Sequence, residues 1–398
     1  MINSWKIYKL SDFMDFNPTE TITKGVIAKK VSMEVLKPFC RDILKYENEE
    51  YFGGAKFRNG DTIMARITPC LENGKRAFVN ILNENEVGFG STEYIVLRAK
   101  ENISDAKFIY YLVSSNLIRD PAIKSMVGSS GRQRVQTDVL KSLEISLPPL
   151  NIQKKIARIL GALDNKIELN NRMNQNLESQ AKTLFKSWFV DKEYNVLENT
   201  TLGNICKCKL GGTPSRAKPE YWNGNIAWIN SGEVNNFRIT KASEYITELG
   251  LQKSATKLLP KKTTILAITG ATLGQISLLE IDSCANQSVV GVLENDILPY
   301  EFIYPFICYN IQDLISHQTG GAQQHINKQN VESLPLALPT KEIIDSYRKI
   351  VKPIFDMIAK NCFENEKLIA IRDALLPKLM SGEIDVENIP VSDIISKE

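Results

Sequence analysis

Histidine is nearly missing from this chain: its 398 residues include two, His317 and His325. That makes a His-rich metal centre or a Ser/His/Asp hydrolase hard to build. No apolar run reaches the roughly 18 residues that a membrane-crossing helix needs, and the opening MINSWKIYKLSDF has no apolar export-signal core. A cytoplasmic protein is the expectation. Cysteine is sparse and odd in number, at seven, and the one close pair, Cys206 and Cys208, has no second pair or nearby His. Buried or incidental thiols are the reading there, not a zinc site. Charge of either sign is not in excess: 49 basic residues face 46 acidic ones. This excludes a globally basic nucleic-acid coat and leaves room for a local basic groove. There is no G-x-x-x-x-G-K-[ST] phosphate loop, and Val87-Gly88-Phe89-Gly90 precedes a strand instead of opening a helix. The Asn/Asp-Pro-Pro-Tyr motif of amino-methyltransferases is also missing, since Pro148-Pro149 lacks both flanking residues. The expectation is a chain with no catalytic residue, no metal and no cofactor of its own.

What the chain does have is a repeat. Residues 128–149, GSSGRQRVQTDVLKSLEISLPP, overlay 319–340, TGGAQQHINKQNVESLPLALPT, at an offset of 191. Val135 meets Ile326, Gln133 meets Gln324, Leu143 meets Leu334 and Pro148 meets Pro339. Phe108-Ile109-Tyr110 matches Phe302-Ile303-Tyr304 at offset 194, and Thr62–Thr68 matches Thr263–Thr269 at offset 201. One unit is thus used twice, with loop insertions. In each copy, short β-branched runs such as Glu93–Leu97 and Ser288–Val292 read as strands between Gly, Pro and Asn turns. A Leu-Pro signal closes each region and a long helix follows. The predicted fold is α+β: a first globular domain over 1–150, a spacer helix over 151–190, a second domain over 191–340, a spacer helix over 341–381 and an acidic tail over 382–398.

The first helix, predicted over about 152–188, carries a heptad seam at Ile156, Leu160, Leu163, Ile167, Asn170, Asn174, Leu177, Ala181, Leu184 and Trp188. The second carries Tyr347, Ile350, Ile354, Met357, Asn361, Glu364, Leu368, Ile371 and Leu375. Both seams are polar in the middle. Antiparallel pairing lets polar middle meet polar middle, whereas a shifted register buries an unsatisfied amide at about 1–3 kcal/mol each. Asn170, Asn174, Asn361 and Glu364 are therefore expected to set the register of an antiparallel intramolecular coiled coil. Gly161 and Pro353 fall at equivalent places and are expected to bend or restart the helices. Some 37 helical residues span roughly 55 Å, comparable to about 16 base pairs.

The remaining signals point to nucleic acid. Gly128–Arg134 joins small residues to Ser129, Ser130, Arg132, Gln133 and Arg134. Arg reads guanine and Gln reads adenine bidentately, while Ser holds phosphate. Its repeat mate presents Gln323, Gln324, His325 and Lys328 instead, as two modules reading different sequences require. Two further candidates look like β-hairpin tips: Arg66, Thr68, Asn73, Lys75 and Arg76 on one, Thr269 and Thr272 on the other. Thr213, Trp222, Trp228 and Asn230 form the last group, with core packing an equal reading for both Trp residues. Net charge is +3 over 1–150, +4 over 151–190, −2 over 191–340, +2 over 341–381 and −4 over 382–398. A near-neutral second domain implies that a partner supplies much of the phosphate contact.

With these features the whole chain resembles the specificity subunit of a type I restriction-modification enzyme. The marks are Leu184-Phe185-Lys186-Ser187-Trp188-Phe189-Val190-Asp191, Leu375-Leu376-Pro377-Lys378-Leu379-Met380-Ser381-Gly382-Glu383-Ile384, Gly211-Gly212-Thr213-Pro214 with Tyr221-Trp222 and Trp228-Ile229, and Ala65–Lys75. The resemblance implies two target-recognition domains related by pseudo-twofold symmetry, each reading half of a split double-stranded DNA site. It implies that the helices set the unread gap and dock two methyltransferase subunits, with Phe185, Trp188, Phe189, Leu376, Leu379 and Met380 as docking residues. The second helix has no aromatic matching Trp188, so the two docking surfaces need not be equivalent. The resemblance also implies S-adenosylmethionine, ATP and Mg in partner subunits, with restriction subunits supplying translocation and cleavage, and no membrane association. The competing readings are a self-contained methyltransferase or nuclease of a fused type, and a coiled-coil scaffold that does not bind DNA.

Overall fold

The computed structural model describes residues 5–129, 131–316 and 326–387. It divides into two compact units, Met1–Glu168 with Lys367–Glu398, and Leu169–Glu366. The units share one plan of mixed helix and sheet. In the first, an antiparallel four-stranded sheet runs in the order Met14–Phe16, Tyr94–Ala99, Thr62–Ala65, Arg76–Phe78. In the second, the order Cys208–Leu210, Val289–Val292, Thr264–Ala267, Ile276–Leu278 repeats it, again antiparallel. The central strands Thr62–Ala65 and Thr264–Ala267 each open on β-branched Thr-Ile and are buried along their whole length, as a sheet covered on both faces demands. Each unit has an outer ladder that ties its start to its end: Lys6–Lys9 with Glu144–Leu147, and Val196–Thr201 with Pro335–Pro339.

The units diverge in their second sheets. The first unit has four strands, Glu47–Glu50, Ile27–Val31, Gly88–Gly90 and Ala55–Phe57; the second has three, Glu244–Ile246, Trp222–Ile229 and Cys284–Ala285. The G-x-G of Val87–Gly90 serves this sheet: a Cβ at Gly90 would lie 2.5 Å from the Val31 carbonyl oxygen. Each antiparallel sheet is backed by an apolar helix. Asp105 caps Ala106–Ser114 by accepting from the Phe108 amide at 2.9 Å. Its counterpart is Tyr300–Ser316, and the two Phe-Ile-Tyr matches lie buried in these helices.

The sheet register corrects one alignment. Thr62 pairs with Phe78 and Leu97, whereas the residue pairing with Leu278 and Val292 is Thr264, not Thr263. The strand offset is therefore one greater than the expected 201, which matters because a one-residue slip exchanges the faces of a strand.

The long helices run unbroken over Leu150–Phe189 and Lys341–Ser381. Neither Gly161 nor Pro353 interrupts them, contrary to the restart that was one of the two expectations there. Gly161 is buried; its carbonyl accepts from Arg41 at 3.4 Å, and the Tyr111 hydroxyl lies close by. The buried face also differs from the predicted seam. On the second helix it follows Ile344, Tyr347, Val351, Phe355, Ile358, Asn361 and Asn365, while Ile350, Met357 and Ile371 are exposed. The first helix buries Asp164, Glu178 and Phe185 next to the predicted Leu163, Leu177 and Leu184. A straight α-helix drifts against a strict heptad, and Phe185, Ile344, Tyr347, Val351 and Phe355 pack on the second unit's own core. Among the described residues no helix is long and apolar enough to cross a membrane.

Candidate nucleic-acid interface

In the first unit the strands Thr62–Ala65 and Arg76–Phe78 form a hairpin, with residues 66–75 as its tip. The Gly128–Arg134 loop is stitched onto that tip. The Val135 amide donates to the Arg66 carbonyl at 2.9 Å, and the Thr68 amide donates to the Gln133 carbonyl at 3.0 Å. Two separately predicted loops thus become one surface, on which Asn73, Ser129, Arg132, Gln133 and Arg134 are exposed. Arg134 forks onto Glu93 at 2.6–3.0 Å. That hydrogen bond holds the Glu93 carboxyl below its ordinary value. Arg132 makes no side-chain hydrogen bond or ion pair among the described residues. Arg66 is half-buried and reaches the Val135 carbonyl at 3.4 Å.

Two residues of this tip do not face outward. Lys75 donates its ammonium to the Met33 carbonyl at 2.8 Å. Arg76 is buried, 8% exposed, with its Nε donating to Ser114 Oγ. The outward reading of Arg76 is corrected on that ground: it occupies a strand buried along its length, and its side chain is not presented with the exposed residues of the tip.

The second unit repeats the scaffold with other side chains. Strands Thr264–Ala267 and Ile276–Leu278 form the hairpin, and the Ile326 amide donates to the Ile268 carbonyl at 3.0 Å, as Val135 does to Arg66. Thr269 and Thr272 are half-buried on this tip, where the Thr272 hydroxyl donates to the Thr269 carbonyl at 3.5 Å. Ser130, Gln323, Gln324 and His325 lie outside the described residues. Lys328 is half-buried and pairs with Glu332 at 3.1 Å. Thr213 is exposed and donates to Gln287 at 2.6 Å; the Gly212 amide donates to the Ala285 carbonyl.

The Trp pair divides. Trp228 is 2% exposed and donates its indole N–H to the Gly212 carbonyl at 3.1 Å, which corrects its reading as a base contact. Trp222 is half-buried, meets Trp228 edge to face at 5.1 Å, and carries the Arg216 guanidinium 3.5 Å over its ring. Arg216 also forks onto Glu244. The Asn230 side chain is spent on a capping box with Gly232 and Glu233. Arg216 and Glu244 went unread in the sequence; an Arg just after Gly-Gly-Thr-Pro and close to Trp222 was the available signal.

On the helices, within the second unit, the Asn170 amide donates to Glu364 at 2.8 Å and to Asn365 at 2.9 Å, and the Asn361 amide donates to Asn174 at 2.9 Å. Partners descend on one helix as they ascend on the other, so the segments run antiparallel. Within the first unit Asp164 meets Arg372 at 2.8 Å.

The proposed docking residues face elsewhere in part. Phe185 is buried against Phe302, and Leu379 and Met380 belong to the first unit's core, which corrects their reading as docking residues. Trp188 and Phe189 are half-buried on Tyr347, and Leu376 is half-buried. The Cys206 and Cys208 thiols are buried, which pushes both up to about 12.

Comparison with known proteins comes to the same repeat. A family model described as the type I restriction modification DNA specificity domain matches twice, over residues 2–179 and 196–373. The chain is 26% identical to the HindI type I restriction enzyme specificity subunit of Haemophilus influenzae, covering 82% of this chain and 87% of that one. It is 26% identical to the MjaIX specificity subunit of Methanocaldococcus jannaschii, covering 71% and 70%. A crystal structure of a type I restriction-modification S subunit from M. genitalium shares the fold at a TM-score of 0.57 and 18% identity, covering 96% of this chain and 97% of that one.

Proposed function

The chain belongs to the type I restriction-modification DNA specificity family, and from that premise we propose that it is the DNA-recognition subunit that reads a bipartite site. Residues 1–150 read one half and residues 191–340 the other. The paired helices fix the unread gap and dock two methyltransferase subunits, which bring S-adenosylmethionine and methylate adenine. Restriction subunits bring ATP and Mg. This chain contributes sequence choice and no cofactor.

The observation that carries the reading is the equivalent stitch in the two units, Val135 to Arg66 and Ile326 to Ile268. The same backbone bond joins the residue that follows each loop to the same hairpin, and the loop sequence is arginine-rich in one unit and carries other residues in the other. A scaffold repeated with its readers changed is what a split, asymmetric site requires.

The test is a domain exchange. Residues 1–150 are replaced by the matching domain of another specificity subunit, the protein is expressed with its methyltransferase partner, and methyladenine is mapped by modified-base sequencing. One half of the motif changes and the other stays. A change in both halves, or in neither, overturns the two-reader assignment.

A further inference from the structure

A cavity of about 250 Å³ lies in the first unit, among the strand Arg76–Phe78, the Ser114–Arg119 segment and the last turns of the second long helix. Its wall carries three arginines, Arg76, Arg119 and Arg372, and two carboxylates, Asp164 and Asp373. Both carboxylates are already engaged. Asp164 accepts from Arg372 at 2.8 Å and from the Tyr111 hydroxyl at 2.7 Å. Asp373 accepts from Arg372 at 2.8 and 3.0 Å.

Arg76 and Arg119 have no such partner. Among the described residues neither forms an ion pair. Arg76 donates to neutral hydroxyls, Ser114 and Tyr110, and its guanidinium lies over the Phe39 ring. Arg119 donates to the Glu72 carbonyl at 2.8 Å, and its buried Nε has no acceptor. A desolvated guanidinium without a counter-ion is expensive, and a cavity beside it is where a counter-ion fits. Burial, together with the positive neighbours Arg372 and Arg119, pulls the Arg76 pKa below its ordinary value.

We propose that this cavity is a binding site for a phosphoryl oxyanion, held by Arg76 and Arg119. A guanidinium fork matches phosphate oxygens in geometry as well as charge. Phe39, 47% exposed, lies against both guanidinium groups and offers a shelf for a planar group. The phosphoryl group comes either from free inorganic phosphate or from a mononucleotide whose base stacks on Phe39. The site adjoins the inner side of the 66–75 tip, where Arg119 donates to the Glu72 carbonyl, and its test needs no DNA.

Calorimetric titration of the full-length chain at constant ionic strength reads it directly, with inorganic phosphate and adenosine monophosphate as separate probes and chloride as control. One saturable phosphate site per chain is expected. Arg119→Gln weakens it at least tenfold and Arg76→Met abolishes it. Should Arg76→Met fail to fold, Arg119→Gln, at a half-buried position, carries the test alone. Adenosine monophosphate binding more tightly than phosphate, with the gain lost in Phe39→Ala, identifies a nucleotide; equal binding identifies free phosphate. Absence of saturable binding by either probe, or binding unchanged in the variants that fold, overturns the proposal.

Discussion

Each unit buries an arginine, and the two are treated differently. In the second unit the Arg238 side chain is fully buried and meets Glu178 at 2.7 Å, while the Tyr304 hydroxyl donates to the same carboxylate at 2.6 Å. Burial opposes the Arg238 charge, and Tyr304 and Glu178 outweigh it and raise its pKa. In the first unit Arg76 is nearly as buried and has a hydroxyl where Arg238 has a carboxylate. The Arg238 charge is neutralised within the chain by Glu178, although its buried Nε has no acceptor, and the Arg–Glu–Tyr network serves the structure. An open guanidinium beside a cavity is incomplete, and that difference separates a structural charge from a binding group.

The sharpest way to break the comparison is to open the closed network. Glu178→Ala leaves Arg238 buried and unpaired, and unfolding of the second unit in urea should show a loss of about 3–5 kcal/mol. The double variant Glu178→Ala with Arg238→Met should recover most of it. An undiminished stability in the single variant would mean that the pair contributes nothing. The same pair gives an acid signature. Burial alone would raise the Glu178 carboxyl, yet Arg238 and Lys182 hold it below its ordinary value. With the folded pKa lower than the unfolded one, the contribution is complete above about pH 4.3 and is lost as pH falls through the folded value. Urea midpoints measured from neutral pH downward should fall more steeply in the parent than in the double variant.

These charges also mark the limit of the sequence. The repeat, the strand runs, the hairpin tips and both long helices were legible, because they rest on apolar periodicity and turn residues. The helix faces were read one residue off at several positions because a strict heptad count drifts against a straight α-helix. Asp164, Glu178 and Asn365 are buried because partners reach them, and Arg372 lies 208 residues from Asp164 along the chain. Arg76 followed a Gly-Lys turn and read as exposed, although the strand it begins is buried along its length. The one-residue slip between Thr263 and Thr264 arose where two threonines stand together and only a partner strand can choose between them.

Smaller effects follow where the groups are neutral. Asn361→Leu removes the donor to Asn174, itself 2% exposed, and should cost about 1–3 kcal/mol by urea denaturation. A neutral result would mean that the amide pair does not fix the register. On the exposed loops the comparison concerns readers. Arg132→Ala in the first unit should relax one half-site by about 1–3 kcal/mol in competition binding if the side chain contacts a base. A uniform loss over all sequences with a shallower salt dependence would make it a phosphate contact.

The smallest stability change belongs to the open arginine, and its smallness is informative. Removing a buried charge that has a paired counter-ion strands the partner, whereas removing one that has none strands nothing. In the absence of phosphate, Arg76→Met substitutes an apolar side chain of similar reach under Phe39 and Tyr110. It relieves the repulsion from Arg119 and Arg372 and gives up the hydrogen bonds to Ser114 and Tyr110, worth about 1 kcal/mol each. The two terms oppose each other, so the urea midpoint should move little, in contrast to Glu178→Ala. Adding phosphate should then stabilise the parent protein and leave Arg76→Met unmoved, because a ligand raises stability only through a folded state that binds it. A large loss without phosphate would instead place Arg76 with Arg238, as a structural charge whose partners are the Phe39 ring and the two hydroxyls.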